Sequence, residues 1–161
     1  MPSSRTSLVF KLAAITLLAL PPAQIPASAA DLAVVVQPDT PVDDLSFAEA
    51  RKLFMGDRQF WSSNLRVTLL IRAPAARERD VILKRIYGMS EAQFRQYWIS
   101  KIFRLEASNG PKIVYSSEMA TELVSAIPGA VAFVDSALVP KGLKVLKIDG
   151  RLPGEKSYPL R

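Results

Sequence analysis

From residue 33 to residue 148 the chain alternates short β-branched runs with amphipathic stretches that carry their own start and stop signals, and few architectures accept that order. Residues 33–36 read as a buried strand ended by Gln37, Pro38 and Asp39. Ser46 and Glu49 have the spacing of a capping box; Phe47, Ala50, Leu53 and Phe54 share one helical face behind it, and Gly56 closes the helix. Residues 66–72 carry Val67, Leu69, Leu70 and Ile71, a run suited to a strand covered on both faces. Pro74 stops that strand and fits the first turn of the next helix.

The next helix is expected over 77–87, with Val81, Ile82 and Ile86 inward and Gly88 at its end. Ser90 and Gln93 repeat the capping box and open a helix whose Phe94, Tyr97, Trp98 and Ile102 form an aromatic-rich core stripe. Asn109, Gly110 and Pro111 make a turn into a strand over 112–115. Ser116 or Ser117 then caps a helix that buries Met119, Leu123, Val124 and Ile127 before Pro128 and Gly129 end it. Residues 130–134 read as another buried strand, residues 143–148 as an edge or half-exposed one alternating with lysines, and the chain beyond Gly150 as a polar tail. The expected fold is α/β, with a mixed, mostly parallel sheet of about five strands and neither repeat nor linker.

The first thirty residues stand apart. Arg5 and Lys11 precede an apolar run over 12–20, and Ala27, Ser28, Ala29 and Ala30 supply the small side chains of an export cleavage site. That run is too short for the roughly 20 residues a membrane-spanning helix needs, and Pro21, Pro22 and Pro26 interrupt its helix. The expected organisation is a signal peptide over 1–30 and a single domain over 31–161, periplasmic or secreted, with no transmembrane anchor after cleavage.

Arg5 and Lys11 leave with the signal, so the formal charge of +6 falls by two and the mature domain is only mildly basic. Such a charge suits anionic solutes, acidic polysaccharide or a membrane surface, but it forms none of the dense basic blocks of nucleic-acid binders. The chain has no cysteine and no histidine. This removes disulfides, thiol catalysis and thiolate metal sites, and with them the usual general base and the commonest transition-metal ligand. Ser62, Ser63, Ser116 and Ser117 have no histidine to activate them, and the one tight acidic group, Asp39, Asp43 and Asp44, sits in a proline-bearing loop. No enzyme, cofactor or metal site is expected.

Three segments carry a family resemblance. Leu45, Ser46 and Phe47, then Leu53, Phe54, Met55 and Gly56, with Trp61 beyond, form one opening block. Pro128, Gly129, Ala130, Val131, Ala132, Phe133 and Val134 form a strand entry, and Ile148, Asp149, Gly150, Pro153, Tyr158, Pro159 and Leu160 a tail. In this order they resemble the type II periplasmic binding proteins, and among them the short, one-lobed proteins similar to phosphate ABC-transporter substrate-binding proteins. The resemblance implies a three-layer α/β/α lobe that holds a small oxyanion such as phosphate and serves an ABC transporter or another envelope partner.

Arg72 stands where the resemblance implies an arginine ahead of a serine-glycine-threonine phosphate grip, yet the segment reads Ala73, Pro74, Ala75, Ala76 and Arg77, without hydroxyls or glycine. Arg72, Arg77 and Arg79 are the candidate anion contacts, since guanidinium groups pair with such groups bidentately. One lobe supplies half a cleft, so a partner or a second copy, as in a homodimer, would complete it. The other reading is an interaction module that docks a protein through the aromatics Phe60, Trp61 or Tyr87.

Overall fold

A computed structural model describes residues 30–62 and 64–161, so the expected signal segment lies outside the described residues except for Ala30. The strands are β1 Leu32–Val36, β2 Asp44–Leu45, β3 Thr68–Arg72, β4 Lys112–Val114, β5 Ala130–Asp135 and β6 Lys144–Ile148. They form one sheet in the order β2-β6-β1-β5-β3-β4. β3 pairs in parallel with both β4 and β5, and β2 with β6, whereas β1 runs antiparallel to β5 and β6. The helices are α1 Phe47–Phe54, α2 Arg77–Ile82, α3 Glu91–Phe103 and α4 Ser117–Ala126.

Successive side chains on a strand point to opposite faces, and the two central strands show this directly. Leu32, Val34 and Val36 of β1, with Val131 and Phe133 of β5, join the larger core under α1, α2 and α3. Ala33 and Val35, with Ala130, Ala132 and Val134, join a smaller core under α4. All five residues of β1 are buried, which is why the strand reads as an unbroken apolar run. The result is the expected three-layer α/β/α arrangement.

Both predicted capping boxes form. The Ser46 hydroxyl accepts the Glu49 N–H and the Glu49 carboxylate accepts the Ser46 N–H at 2.9 Å; Ser90 and Gln93 do the same at the start of α3. Ser116, rather than Ser117, caps α4, accepting the Met119 N–H at 3.0 Å.

Several expectations are corrected. Pro74 lies in the turn before α2 and not in its first turn, because Ala75 turns the chain with φ 68 and Ala76 is the N-cap. The helix expected over 77–87 is α-helical only to Ile82 and continues as a π-helical turn over Leu83–Tyr87, ending at Gly88 with φ 63. The sheet has six strands, one more than expected, because Asp44, read as loop, and Leu45 pair with Lys147 and Ile148. β6 therefore lies inside the sheet, next to its edge. Ile102 is not core, since α3 turns that side outward. The tail is not merely polar: Tyr158 and Leu160 are buried, the Leu32 N–H donates to the Leu160 carbonyl at 2.9 Å, and the Tyr158 hydroxyl donates to the Leu32 carbonyl at 2.7 Å.

Candidate functional site

In open α/β sheets, ligands sit beyond the carboxyl ends of parallel strands. Here β3, β4 and β5 share that end. Arg72 is the last residue of β3 and lies in register with Val114, the last of β4; Ser116 and Ser117 follow directly and open α4. Asp135 closes β5 at the same end.

The Arg72 side chain is only 15% exposed, and its Nε lies 3.7 Å from Glu78 Oε1. Neither its Nε nor its Nη1 has a hydrogen-bond partner among the described residues. Ser117 Oγ donates to the same Glu78 oxygen at 3.3 Å. Glu118 completes the cluster. Its carboxyl is held below the ordinary value first by its own backbone N–H, next by the Ser116 hydroxyl, and further by the charge of Arg72. The helix start thus has a carboxylate where anions are stabilised by N–H groups and the helix dipole.

The three arginines singled out in the sequence do not converge on one point. Arg77 donates through Nη2 to the Ala30 carbonyl at 2.5 Å and lies 3.5 Å from Asp135 Oδ2, so it ties Ala30 to the end of β5. Arg79 is interior, at 2% exposure. Its Nε and Nη2 fork onto Glu91 at 2.8 and 2.7 Å, its Nη1 donates to the Arg72 carbonyl at 2.8 Å, and it lies over the Phe94 ring. The Arg79 hydrogen bond is also the leading cause that holds the Glu91 carboxyl below its ordinary range. Arg79 is therefore a support for the strand end, while Arg72 keeps unengaged donors.

Sequence reasoning missed Glu78, Ser117 and Glu118. The serine pair was legible only as a cap, because nothing in the linear order says that the loop after β4 lies beside the end of β3.

The aromatic reading also changes. Trp61 is buried, with its Nε1 donating to the Gly129 carbonyl at 2.9 Å, and Tyr87 is buried, its hydroxyl donating to the Phe54 carbonyl at 2.6 Å. Burial raises the Tyr87 hydroxyl pKa well above its ordinary value. These two rings are structural and cannot face a partner without unfolding the core, whereas Phe60 is 48% exposed. Asp43 and Asp44 have structural partners as well: Asp43 pairs with Lys144 at 2.9 Å, and Asp44 accepts the Gly150 N–H at 3.0 Å.

No family model matches the chain, and no curated protein matches it. Solved structures do. A protein from Clostridium perfringens assigned as a phosphate ABC transporter substrate-binding protein, solved with phosphate bound, superposes with a TM-score of 0.66 at 17% identity, over 81% of this chain and 52% of that one. PstS from Borrelia burgdorferi gives 0.63 at 13% identity over 81% and 54%, and an ABC-type phosphate transport receptor from Vibrio cholerae gives 0.61 at 19% over 77% and 48%. This chain spans about half the length of these structures, and at such identities the likeness concerns the fold. The described chain has the fold of phosphate ABC transporter substrate-binding proteins, over about half of their length.

Proposed function

We propose that this is a non-catalytic, exported solute-binding protein whose solute is a small oxyanion of the phosphate type, met by Arg72 with Ser116 and Ser117. The observation that carries the reading is Arg72 itself: two buried guanidinium nitrogens without hydrogen-bond partners among the described residues, at the carboxyl end of a parallel strand whose neighbour β4 leads into Ser116 and Ser117. Leaving charged donors buried without hydrogen bonds is costly, and an oxyanion would supply them. Glu78 and Glu118 offset the charge, so the solute has to compete with carboxylates already in place.

Binding proteins of this design enclose solute between two lobes, and the described residues form one sheet with one strand-end cluster. The other wall would come from a second copy or from an envelope partner such as an ABC transporter. The proposed location is the periplasm. Among the described residues no helix is long and apolar enough to cross a membrane.

Isothermal titration of the chain from Ala30 with inorganic phosphate, sulfate and acetate tests the reading. Phosphate should saturate, and Arg72→Ala should weaken it by about 1.5 to 3 kcal/mol, the scale of a hydrogen bond to a charged group. Equal affinity in wild type and variant removes Arg72 from the site.

A further inference from the structure

A different part of the molecule combines cations that have no carboxylate partner among the described residues with exposed apolar side chains. Ile99, Ile102 and Phe103 are spaced so as to share the outer flank of α3, and all are exposed, Phe103 at 87%. Leu105, just past the helix, is 91% exposed and has φ 58. Ile113 lies on β4, the open edge of the sheet. Its neighbour Val114 is buried under α4, so strand alternation turns Ile113 to the α3 side.

The loop that follows Leu105 forms a wall of a cavity of about 110 Å³. Arg58, Arg66 and Lys112 line it together with Thr68 and Ser108. The Gln59 side chain ties the two walls by donating to the Glu106 carbonyl at 2.8 Å, and Arg66 Nη2 donates to Ser108 Oγ at 2.7 Å. None of these three cations has a carboxylate partner among the described residues. The nearby acids are already engaged: Lys101 holds Asp57 at 2.5 Å, and Arg104 holds Glu106 at 2.7 Å. Phe60 stands at the rim, under Arg66.

We propose that this end of the domain docks on an anionic phospholipid surface, with Phe103 and Leu105 entering the interface and Arg66 and Lys112 receiving headgroup phosphate, while Arg58, held by the Phe60 and Trp61 carbonyls, adds positive charge behind them. Apolar tips bordered by cations bind an anionic bilayer through both terms at once. Charge decides against a second copy of this chain, because a symmetric contact would set uncompensated cations against each other. The surface does not involve Arg72, so its fate is independent of the proposed solute site.

Vesicle co-sedimentation of the chain from Ala30 tests the proposal. Phosphatidylglycerol vesicles should retain the protein at low salt and lose it as salt screens the charges, and phosphatidylcholine vesicles should retain little. Arg66→Gln and Lys112→Gln should each weaken partitioning roughly fivefold. Phe103→Ser with Leu105→Asn should abolish it while leaving the melting curve in place, since both side chains are exposed and Asn tolerates the φ of residue 105. Arg72→Ala should have no effect. The proposal is overturned if phosphatidylglycerol vesicles retain no protein, if the variants sediment like wild type, or if the protein self-associates through these residues instead.

Discussion

Arg79 donates to the backbone carbonyl of Arg72 at 2.8 Å, so the residue proposed to meet the solute is positioned by a second, buried arginine. The two play opposite roles from nearly adjacent places. Arg79 satisfies three of its nitrogens inside the protein, and Arg72 leaves two without hydrogen bonds among the described residues. Rigid support beneath a contact residue is what keeps a binding geometry from loosening.

Glu91→Ala should lower stability by about 1 to 3 kcal/mol at neutral pH, measured by urea unfolding, because it strands the Arg79 cation inside the protein. The lower part of that range allows for a Glu91 side chain that is 34% exposed. Acid adds a second signature. The folded carboxyl lies below its ordinary value of 4.5, so the unfolded chain takes up the proton more readily. The contribution is fully present above the ordinary value and is lost as pH falls through the lower folded one. Wild type should therefore lose more stability than Glu91→Gln on acidification below 4.5, and parallel curves would refute the linkage.

Ala75→Gly should raise the melting temperature. Residue 75 has φ 68, a conformation that costs an L-residue roughly 1 to 2 kcal/mol, and glycine's greater unfolded freedom offsets part of the relief. A net gain of about 0.5 to 1 kcal/mol is expected. The sequence shows no glycine in this loop, yet the backbone has turned as though one were present.

That loop shows where sequence reading succeeds and where it stops. The caps at Ser46 and Ser90 were legible because their partners lie three residues away. The strands β1 and β5 were legible because burial on both faces leaves continuous apolar runs. The candidate site was only partly legible: Arg72 was singled out by the family resemblance, but its relation to Glu78, Ser117 and Glu118 depends on the pairing of β3 with β4, which no local pattern encodes. Arg79 and Tyr87 misled for a related reason. Each is polar or amphipathic in sequence, and its interior partner, Glu91 or the Phe54 carbonyl, lies on another element.

Gly129→Ala should destabilise by about 2 to 5 kcal/mol, the sum of a left-handed backbone penalty and an overpacking clash. Gly129 has φ 78, and a Cβ there would stand 2.0 Å from the Arg66 carbonyl oxygen, a backbone atom that cannot swing away. Its own carbonyl also receives the Trp61 Nε1–H and the Thr68 N–H at 2.9 and 3.0 Å, so any shift disturbs the start of β3. Normal thermal unfolding of this variant would contradict the account.

The tail offers the sharpest test of the corrected fold, because a dispensable polar extension and a docked segment predict different outcomes. Leu160 is fully buried against the larger core and accepts the Leu32 N–H, while Tyr158 donates to the Leu32 carbonyl. The C-terminal tail thus docks on β1, the strand between β5 and β6. Leu160→Ala removes buried methyl groups and should cost about 2 to 5 kcal/mol. Tyr158→Phe keeps the ring but leaves the Leu32 carbonyl without its donor, at a cost of about 1 to 3 kcal/mol. Hydrogen exchange at the β1 amides should quicken in both variants, since β1 shares these contacts. If exchange there is unchanged while the variants melt as wild type does, the tail does not belong to the core.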